Sequence, residues 1–344
     1  MRIVLDAMGS DNCPSPEIEA SIEAARLFSE EIILTGPEEL LQEKFNSIKA
    51  ADHPRIRIIH APDTITMKDK GLQLALKAKR RGSKSSMAVG IDLLQTGEAD
   101  AFITAGNTGG ALATAYYRLG VIPGVERPAL TGIFPVKGGS CVVLDIGANP
   151  ECQPENILQF AIMGSIYAQK IREIPKPRIG LLSNGEEAGK GNQLIKDAYP
   201  LLEKSRLNFI GNVEGKELFG GEADVVVTDG FTGNILLKSS EAVAKLITDI
   251  IRQELTSNLR NKMGALLAKP AFSNIKRMMD PAEIGAAPLL GINGLVFIGH
   301  GRSDAHALVS AIRTARQAVE SGLLPAINQA IQEEFATSQP KEVS

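Results

Sequence analysis

The sequence predicts an α/β protein of three layers, α/β/α, built on a mostly parallel sheet. Short apolar runs recur along the chain and end in polar loops that carry glycine, as buried parallel strands do. Helical stretches with apolar residues at three- and four-residue spacing separate these runs. The repeated order of strand, loop and helix favours a sheet covered by helices on both faces.

Eight apolar runs are predicted as strands, at residues 3–5, 32–34, 56–59, 101–103, 142–144, 179–182, 225–227 and 295–298. Five stretches are predicted as helices, at residues 16–28, 86–94, 155–170, 193–202 and 304–322. We expect functional side chains directly after the strands, because ligands of open α/β sheets bind at the carboxyl ends of the strands.

The chain is predicted to form one compact unit with two lobes over residues 1–335. No stretch rich in glycine, serine or proline is long enough to join two independent domains. The polar tail at residues 336–344 is expected to fray.

Composition and charge exclude several classes of protein. The 344 residues include 37 basic and 40 acidic ones, and this net charge of −3 gives no general attraction for nucleic acid. Cys13, Cys141 and Cys152 form no C-x-x-C pair, as expected in a reducing compartment. The sequence has neither a signal-peptide pattern nor a long apolar run, so we expect a cytoplasmic protein without a spanning helix. Attachment to a membrane surface stays open.

Two segments, 97–110 and 221–234, share one pattern. Each has a G-E-A-D tetrapeptide, three apolar residues and a loop of the form T-x-G-x-T-G. The glycines allow a ligand to approach the backbone, and the threonines are expected to cap the next helix. Because a helix N-terminus presents unpaired N–H groups, each loop can hold an anion such as phosphate. A single such loop is more simply a cap, but two matching loops favour a functional role.

Residues 183–192 follow a predicted strand and approach the pattern of a nucleotide phosphate loop. The spacing is G-x-x-x-G-K-G, which lacks one residue and has no magnesium-binding hydroxyl after Lys190. This spacing disfavours ATP or GTP hydrolysis. Lys190 stays a candidate partner for phosphate or an oxyanion, with a solvated surface lysine as the equally simple alternative.

The first predicted strand ends at Asp6, and Gly9 and Asp11 follow without the G-x-G-x-x-G turn of dinucleotide-binding proteins. Asp6 and Asp11 can position a hydroxyl or a metal ion, or can cap the helix that begins near Pro16. The positioning role is slightly favoured, because these carboxylates lie where substrates bind.

No nucleophile stands out, since the sequence has neither a G-x-S-x-G elbow nor a setting typical of a reactive cysteine. His300 and His306 are six residues apart, a poor spacing for two ligands on one helical face, so we predict no metal site. His300 follows a strand and can relay a proton or simply form a hydrogen bond. No cofactor is predicted.

Six segments together resemble the bacterial phosphate acyltransferases that convert acyl-(acyl carrier protein) to acyl phosphate. They are residues 4–11, 104–110, 144–149, 182–187, 229–234 and 299–304, and the resemblance extends over residues 1–330. It implies a homodimeric α/β/α fold similar to phosphotransacetylases and isopropylmalate-type dehydrogenases. It also implies inorganic phosphate as acyl acceptor and a role in phospholipid synthesis.

This chemistry suits a chain without a nucleophile, because phosphate is itself an anion that can attack a thioester. The predicted catalytic residues are Lys190, Asn107, Asn234 and His300. The residues predicted to bind substrate or phosphate are Asp6, Gly9, Asp11, Thr104, Gly106, Thr108, Gly109, Asn149, Ser183, Asn184, Asp229, Thr232 and Gly233. Which glycine loop binds phosphate is left open.

Residues 68–84 contain seven basic side chains and one acidic one, Asp69. Such a surface can dock an acidic acyl carrier protein, and a solvated helix face is the alternative. The residues predicted to dock the carrier are Lys68, Lys77, Arg80, Arg81 and Lys84.

Residues 255–279 are predicted as an amphipathic helical segment that mixes apolar and basic side chains. It can lie on an anionic membrane surface or form the dimer interface, and the two roles are nearly equally favoured. The predicted membrane contacts are Leu259, Met263, Leu266, Leu267 and Phe272. We expect a peripheral location at the inner face of the cell membrane. A glycerol-3-phosphate acyltransferase in that membrane would then be the functional partner.

Three alternative functions are also compatible with the sequence. An acyltransferase of coenzyme A esters, like the phosphotransacetylases, would share the phosphate loops without needing the basic surface. A non-catalytic acyl- or lipid-binding regulator would bind tightly without phosphorolysis. An oxidoreductase ranks third, because the dinucleotide turn is absent.

Overall fold

The computed structural model describes residues 1–48, 54–80, 82–278 and 281–336. The described strands are β1 (Arg2–Asp6), β2 (Glu31–Gly36), β3 (Ile56–His60), β4 (Ala101–Thr104), β5 (Ala129–Val136), β6 (Gly139–Leu144), β7 (Ile179–Leu182), β8 (Phe209–Val213), β9 (Val225–Val227), β10 (Ala286–Leu290) and β11 (Val296–Gly299).

Helices lie between most of these strands. They are α1 (Ser15–Leu27), α2 (Glu38–Ser47), α3 (Gly71–Lys79), α4 (Ser86–Gln95), α5 (Thr108–Leu119), α6 (Pro154–Ile171), α7 (Gln193–Lys204), α8 (Gly215–Gly220), α9 (Gly230–Thr256), α10 (Leu259–Met278), α11 (Ala305–Glu320) and α12 (Leu323–Ala336), with a short 3-10 helix at Pro281–Glu283. The predicted tail lies outside the described residues from 337 onward.

The strands form one mixed sheet with the order β3-β2-β1-β4-β11-β10-β5-β6-β9-β7-β8. β10 runs antiparallel to β11 and to β5, and β5 runs antiparallel to β6. The other neighbours are parallel. The sheet therefore consists of two parallel groups that meet at a central antiparallel pair.

The predicted fold class is confirmed. Seven of the eight predicted apolar runs lie entirely in a strand, and the eighth, 295–298, begins one residue before β11. Each of the five predicted helical stretches lies in a helix to within two residues at either end. The structure adds β5, β8 and β10 to the predicted strands. The division into one unit with two lobes stays a prediction.

Hydrophobic cores lie on both faces of the sheet. Ile3 and Leu5 of β1 point to the side covered by α1, α6, α7, α11 and α12, while Val4 points to the side covered by α4 and α5. This alternation follows from the two-residue period of a strand, and both sets are buried because helices cover both faces. No helix in the described part of the chain combines the length and apolar character needed to cross a bilayer.

Candidate active site

The loops named from the sequence follow the carboxyl ends of strands, as predicted. Six strands end at or just before residues of the predicted motifs: Asp6 for β1, Thr104 for β4, Asp145 for β6, Ser183 for β7, Thr228 for β9 and His300 for β11. The topology thus positions the candidate side chains on loops held by a rigid sheet.

The loops after β1 and β4 are joined by a buried hydrogen bond. Thr104 Oγ1 donates to Asp6 Oδ2 at 2.7 Å, and Met8 N donates to Asp6 Oδ1 at 3.1 Å. Gly106 N in turn donates to Thr104 Oγ1 at 3.0 Å. Burial raises the pKa of Asp6, and the Thr104 and Met8 hydrogen bonds oppose that rise. Asp6 therefore holds the Thr104 hydroxyl and does not cap α1, whose N-cap is Pro14. Its role in positioning a substrate hydroxyl or a metal ion stays a prediction.

Gly9 is required for this approach of the two loops. A Cβ atom at Gly9 would lie 2.9 Å from the backbone nitrogens of both Ala105 and Gly106. A Cβ atom at Gly106 would lie 2.4 Å from the Met87 side chain. These glycines serve close packing between the β1 and β4 loops.

Asn107 is the N-cap of α5, and both ends of its amide are engaged. Its Oδ1 accepts a hydrogen bond from Gly110 N at 3.0 Å, and its Nδ2 donates to the carbonyls of Thr66 and Asp69, each at 3.0 Å. The expectation that threonines cap the helices is wrong at this position, because the asparagine side chain accepts from the N–H group of Gly110. Thr108, the first helical residue, is exposed.

The first turn of α5 keeps N–H groups without partners. Thr108 N and Gly109 N donate to no group in the described part of the chain, and both residues are exposed. These are the orphan donors expected at a helix start, and they can bind an anion from solvent.

Asp145 organises the loop after β6, and sequence reasoning did not single it out as a site residue. Its Oδ1 accepts from the N–H groups of Leu130, Gly147 and Ala148 at 3.1, 3.0 and 2.9 Å. Its Oδ2 accepts from Asn149 N at 2.7 Å and Asn149 Nδ2 at 2.9 Å. Burial raises the pKa of Asp145, and these hydrogen bonds oppose the rise. The available signal was the similarity of V-L-D at residues 4–6 and 143–145.

Asp229 is the N-cap of α9 and holds the start of that helix. Thr232 N donates to Asp229 Oδ1 at 2.9 Å, and Thr232 Oγ1 donates to Asp229 Oδ2 at 2.7 Å. Gly230 N donates to Asn149 O at 2.8 Å, which ties this helix start to the loop after β6. The capping residue is again acidic or amide rather than threonine, because its oxygen reaches the N–H group three residues on.

The first turn of α9 also packs directly on the β6 loop. A Cβ atom at Gly233 would lie 1.9 Å from Asp145 O, so no larger residue fits there. Asn234 is exposed and faces Gly147, where a Cβ atom would lie 3.7 Å from the asparagine side chain. The structure therefore brings Asn149 and Gly233 against Asp145, with Asn234 beside Gly147 in the same loop.

The loop after β7 places Lys190 in solvent. Its stem packs on Gly185, where a Cβ atom would lie 2.7 Å from Lys190 Cγ, and its ammonium has no ion pair among the described residues. Asn184 Oδ1 accepts from Gly191 N at 3.0 Å, which closes the loop. Ser183 Oγ is buried and lacks a hydrogen-bond partner in that same part of the chain.

His300, in the loop after β11, lies close to a carboxylate of α9. Its Nε2 lies 4.0 Å from Glu241 Oε1. Partial burial of its ring lowers the pKa of His300, the Glu241 carboxylate opposes that effect, and the positive charges of Arg302 and Lys238 add to it. The imidazole is therefore neutral at neutral pH and can accept a proton.

The predicted site residues thus fall into groups rather than one cluster. Asp6, Gly9, Thr104 and Gly106 are in contact, and Asp11 N joins them to the β11 loop by a hydrogen bond to Gly301 O at 2.6 Å. Among the described residues, no hydrogen bond or ion pair connects the 104–110 loop to the 228–234 loop.

One group of carboxylates among the described residues is close enough to share a metal ion, but a lysine lies among them. Glu186, Glu214 and Glu217 form this group. Lys216 Nζ lies 2.6, 3.6 and 3.2 Å from their carboxylate oxygens. The ammonium thus already supplies the positive charge at this position.

The described residues of the predicted docking set are exposed. They are Lys68, Lys77, Arg80 and Lys84. Lys77 Nζ lies 2.7 Å from Asp69 Oδ1, which leaves the other three without a described ion pair. Arg81 lies outside the described residues.

The predicted membrane contacts lie on α10. Leu259, Met263, Leu266 and Leu267 are 79%, 70%, 73% and 85% exposed, whereas Phe272 is partly buried. The predicted segment 255–279 comprises the end of α9, a short connection and α10, and Met279 falls outside the described residues.

Comparison with known proteins assigns the family. The sequence model of the family described as "Fatty acid synthesis protein" matches residues 1–325. A phosphate acyltransferase of Acidobacterium capsulatum is 44% identical over 335 residues, which cover 97% of both chains. One of Elusimicrobium minutum is 44% identical over 333 residues, covering 97% of this chain and 96% of that one.

Solved structures agree on the fold. The EutD phosphotransacetylase of Staphylococcus aureus has a TM-score of 0.60 at 16% identity, covering 93% of this chain and 94% of that one. A phosphotransacetylase of Streptococcus pyogenes has a TM-score of 0.57 at 17% identity, covering 96% and 94%. The predicted likeness to phosphotransacetylases is confirmed for the fold, and the chain belongs to the bacterial phosphate acyltransferase family, a family of transferases.

Proposed function

We propose that this chain transfers a fatty acyl group from acyl-(acyl carrier protein) to inorganic phosphate, giving acyl phosphate and free carrier protein for membrane phospholipid synthesis. The observation that carries the proposal is the full-length similarity to relatives named phosphate acyltransferase, at 44% identity over 97% of the chain. The starts of α5 and α9 support it, because helix N-termini suit both a phosphate and a developing oxyanion.

The proposed reaction forms no covalent intermediate with the protein. A phosphate oxygen attacks the thioester carbonyl carbon and forms a C–O bond, and the C–S bond then breaks with the carrier thiolate as leaving group. A thiol with a pKa of about 8.5 has a thiolate that leaves readily, so the protein needs mainly to align the reactants and stabilise negative charge.

The proposed anion donors are Lys190 and the free N–H groups of Thr108 and Gly109. Asn234, exposed on the first turn of α9, is the proposed side-chain donor of the second loop, and the neutral His300 is the proposed proton relay. Asn107 contributes by fixing the start of α5, because its own amide is fully used.

The carrier protein is proposed to dock beside the start of α5. Asn107 Nδ2 holds the carbonyls of Thr66 and Asp69, so the basic segment that begins at Lys68 starts next to the 104–110 loop. The exposed ammonium and guanidinium groups of this segment suit an acidic partner and would raise its association rate.

We propose that α9 and α10 make different contacts. The exposed apolar side chains of α9 suit a second copy of the chain, giving a homodimer: Val243, Leu246, Ile247, Ile250 and Ile251. Those of α10, beside Arg260 and Lys262, suit an anionic membrane surface. The protein would then lie in the cytoplasm at the inner face of the membrane, where its free cysteines stay reduced and a glycerol-3-phosphate acyltransferase can receive the acyl phosphate.

Release of the carrier thiol tests this proposal against its rivals. The purified protein is given acyl-(acyl carrier protein) or acyl-coenzyme A, each with and without inorganic phosphate. We expect phosphate-dependent release that is faster from the carrier thioester. Preference for coenzyme A would favour a phosphotransacetylase activity, the rival that the fold similarity supports. Binding without thiol release would instead indicate a regulator.

A further inference from the structure

A buried carboxyl group lies behind the candidate site, in the first turn of α1. Glu17 is fully buried, and its Oε1 accepts a hydrogen bond from Ser10 N at 2.9 Å. Its Oε2 is buried without a hydrogen-bond partner among the described residues, and so is Ser10 Oγ. An ionised carboxylate in this place would carry an unpaired charged oxygen into the core, which is costly.

The peptide group that Glu17 holds is the point where three loops meet. Ser10 is flanked by Gly9, whose backbone packs on the nitrogens of Ala105 and Gly106 after β4. On the other side, Asp11 N donates to Gly301 O after β11 at 2.6 Å. The position of Ser10 therefore fixes how the β1 loop sits against both neighbouring loops of the candidate site.

We propose that Glu17 is a positioning residue of the site, whose uncharged carboxyl group holds the loop between β1 and α1 against the loops that follow β4 and β11. The proposal rests on the proposed function for its activity measurement, but the loop contact is independent of that function. Because Glu17 is fully buried, the proposed effect on the site passes through its hydrogen bond with Ser10.

Burial of the carboxyl group favours its acid form. Glu17 Oε2 has no described hydrogen-bond partner, and protonation removes the charge from this buried oxygen. Burial raises the pKa of Glu17 to about 7, the hydrogen bond from Ser10 N opposes that rise, and the charge of Asp6 adds to it. The carboxyl group consequently changes charge near neutral pH.

The titratable groups around Glu17 are few. The charge of Asp6 on β1 acts on Glu17. Cys13 in the loop is neutral near neutral pH, because burial raises its pKa to about 11 and the charge of Glu17 adds to that rise. On the helices packed against α1, the charged side chains of α2 are exposed. The buried Glu30 pairs with Arg316 of α11 at 2.9 Å, beyond the other end of α1.

Variants of Glu17 test the proposal. Glu17→Gln keeps an acceptor for Ser10 N and never ionises, whereas Glu17→Ala removes the contact. Glu19→Gln, on the exposed side of the same helix, is the matched control. Acyl-phosphate formation is measured from pH 6 to 9. At each pH, the kcat/KM of a variant is divided by that of wild type. This ratio removes the effect of phosphate ionisation, which is the same for both proteins.

We expect the Glu17→Gln to wild-type ratio of kcat/KM to rise about tenfold between pH 6 and 8, because the wild-type carboxyl ionises over this range. We expect Glu17→Ala to lose at least about tenfold at pH 7, and Glu19→Gln to follow wild type. A Glu17→Gln to wild-type ratio that does not change with pH overturns the proposal. This test does not depend on Glu17→Ala, which can fail to fold.

Alkylation of Cys13 gives a second measurement that needs no activity. The cysteine is half-buried in the same loop, and peptide mass spectrometry separates it from Cys141 and Cys152. At pH 7 we expect alkylation at least about tenfold faster in Glu17→Ala than in wild type, with Glu17→Gln close to wild type. Equal rates in Glu17→Ala and wild type contradict the proposal. A wild-type protein that makes no acyl phosphate contradicts only the proposed function.

Discussion

Lys190 is the exposed cation of the β7 loop, with its stem on Gly185 and its ammonium free of described ion pairs. We predict that Lys190→Ala lowers kcat/KM for phosphate about 10- to 100-fold, because a hydrogen bond to a charged group contributes about 1.5–3 kcal/mol. Steady-state acyl-phosphate formation measures this loss. Lys196→Ala, an exposed lysine on α7, should behave as wild type. An unchanged rate in a folded Lys190→Ala protein would remove this residue from the mechanism.

The raised pKa of Glu17 also leads to a prediction of how the stability of the fold depends on pH. Its pKa is about 7 in the folded protein and near 4.5 when unfolded, so the folded state holds one more proton between these values. Stability therefore falls as pH rises from 4.5 to 7, by at most about 3 kcal/mol from this group. The glutamine of Glu17→Gln does not ionise, so this variant does not lose that stability as the pH rises.

Urea unfolding at pH 5 and pH 8 checks this prediction. Relative to wild type, the free energy of unfolding of Glu17→Gln should be higher at pH 8 than at pH 5. The exposed Glu19→Gln control should show no such change. A difference between Glu17→Gln and wild type that is the same at both pH values would show that Glu17 does not titrate in the folded protein.

At the residue scale, the sequence predicted where the site loops lie better than it predicted what each residue in them does. The pattern T-x-G-x-T-G predicts two helix starts, but the caps are Asn107 and Asp229 rather than threonines. Asp145 and Glu17 were missed as site residues, because their importance comes from burial and from hydrogen bonds to neighbouring loops. Such contacts join segments far apart in the chain and leave no local pattern.

At the element scale, α10 carries a prediction about membranes. Leu266 is 73% exposed in an apolar set with basic neighbours, and a carboxylate there opposes insertion and repels anionic lipid. We expect Leu266→Glu to lower the fraction that sediments with anionic vesicles at least about fivefold. Leu27→Glu, at a 56% exposed position on α1, is the matched control.

The oligomeric state separates the two roles proposed for this region. Leu266→Glu should remain as large as wild type in analytical ultracentrifugation, because the dimer contact is assigned to α9. Dissociation of the variant with unchanged vesicle binding would make α10 the dimer interface and contradict the assignment.

The strands missed from the sequence have a common physical cause. β5 and β10 are the antiparallel strands at the centre of the sheet, so they do not follow the strand, loop and helix order. They also contain Pro135 and Pro288, which weaken a strand pattern. β8 is an edge strand with Gly211 in its middle, and none of its first three residues is fully buried.

At the scale of the whole molecule, the basic segment beside the 104–110 loop predicts a salt effect. Added salt shortens the screening length from about 10 Å at 0.1 M to about 3 Å at 1 M. We expect the KM for acyl-(acyl carrier protein) to rise about fivefold between 0.05 and 0.5 M salt, with kcat little changed. An uncharged small acyl thioester is the control, and its KM should not respond. An equal salt response for both substrates would contradict docking on this surface.

The fold as a whole was predictable because its parallel strands are buried on both faces and read as short apolar runs before glycine loops. The join between the two parallel groups was not predictable, since it depends on antiparallel pairing of distant segments such as β10 with β5. The local loops around Asp6 and Asp229 were therefore predictable, whereas their arrangement around one another was not.

The most direct test of the central claim follows the phosphate itself. Purified protein is mixed with acyl-(acyl carrier protein) and labelled inorganic phosphate, and the products are separated. We predict label in acyl phosphate, in an amount equal to the free carrier protein that appears. If all label stays in inorganic phosphate, whether the carrier remains acylated or its thioester is merely hydrolysed, the chain does not transfer the acyl group to phosphate.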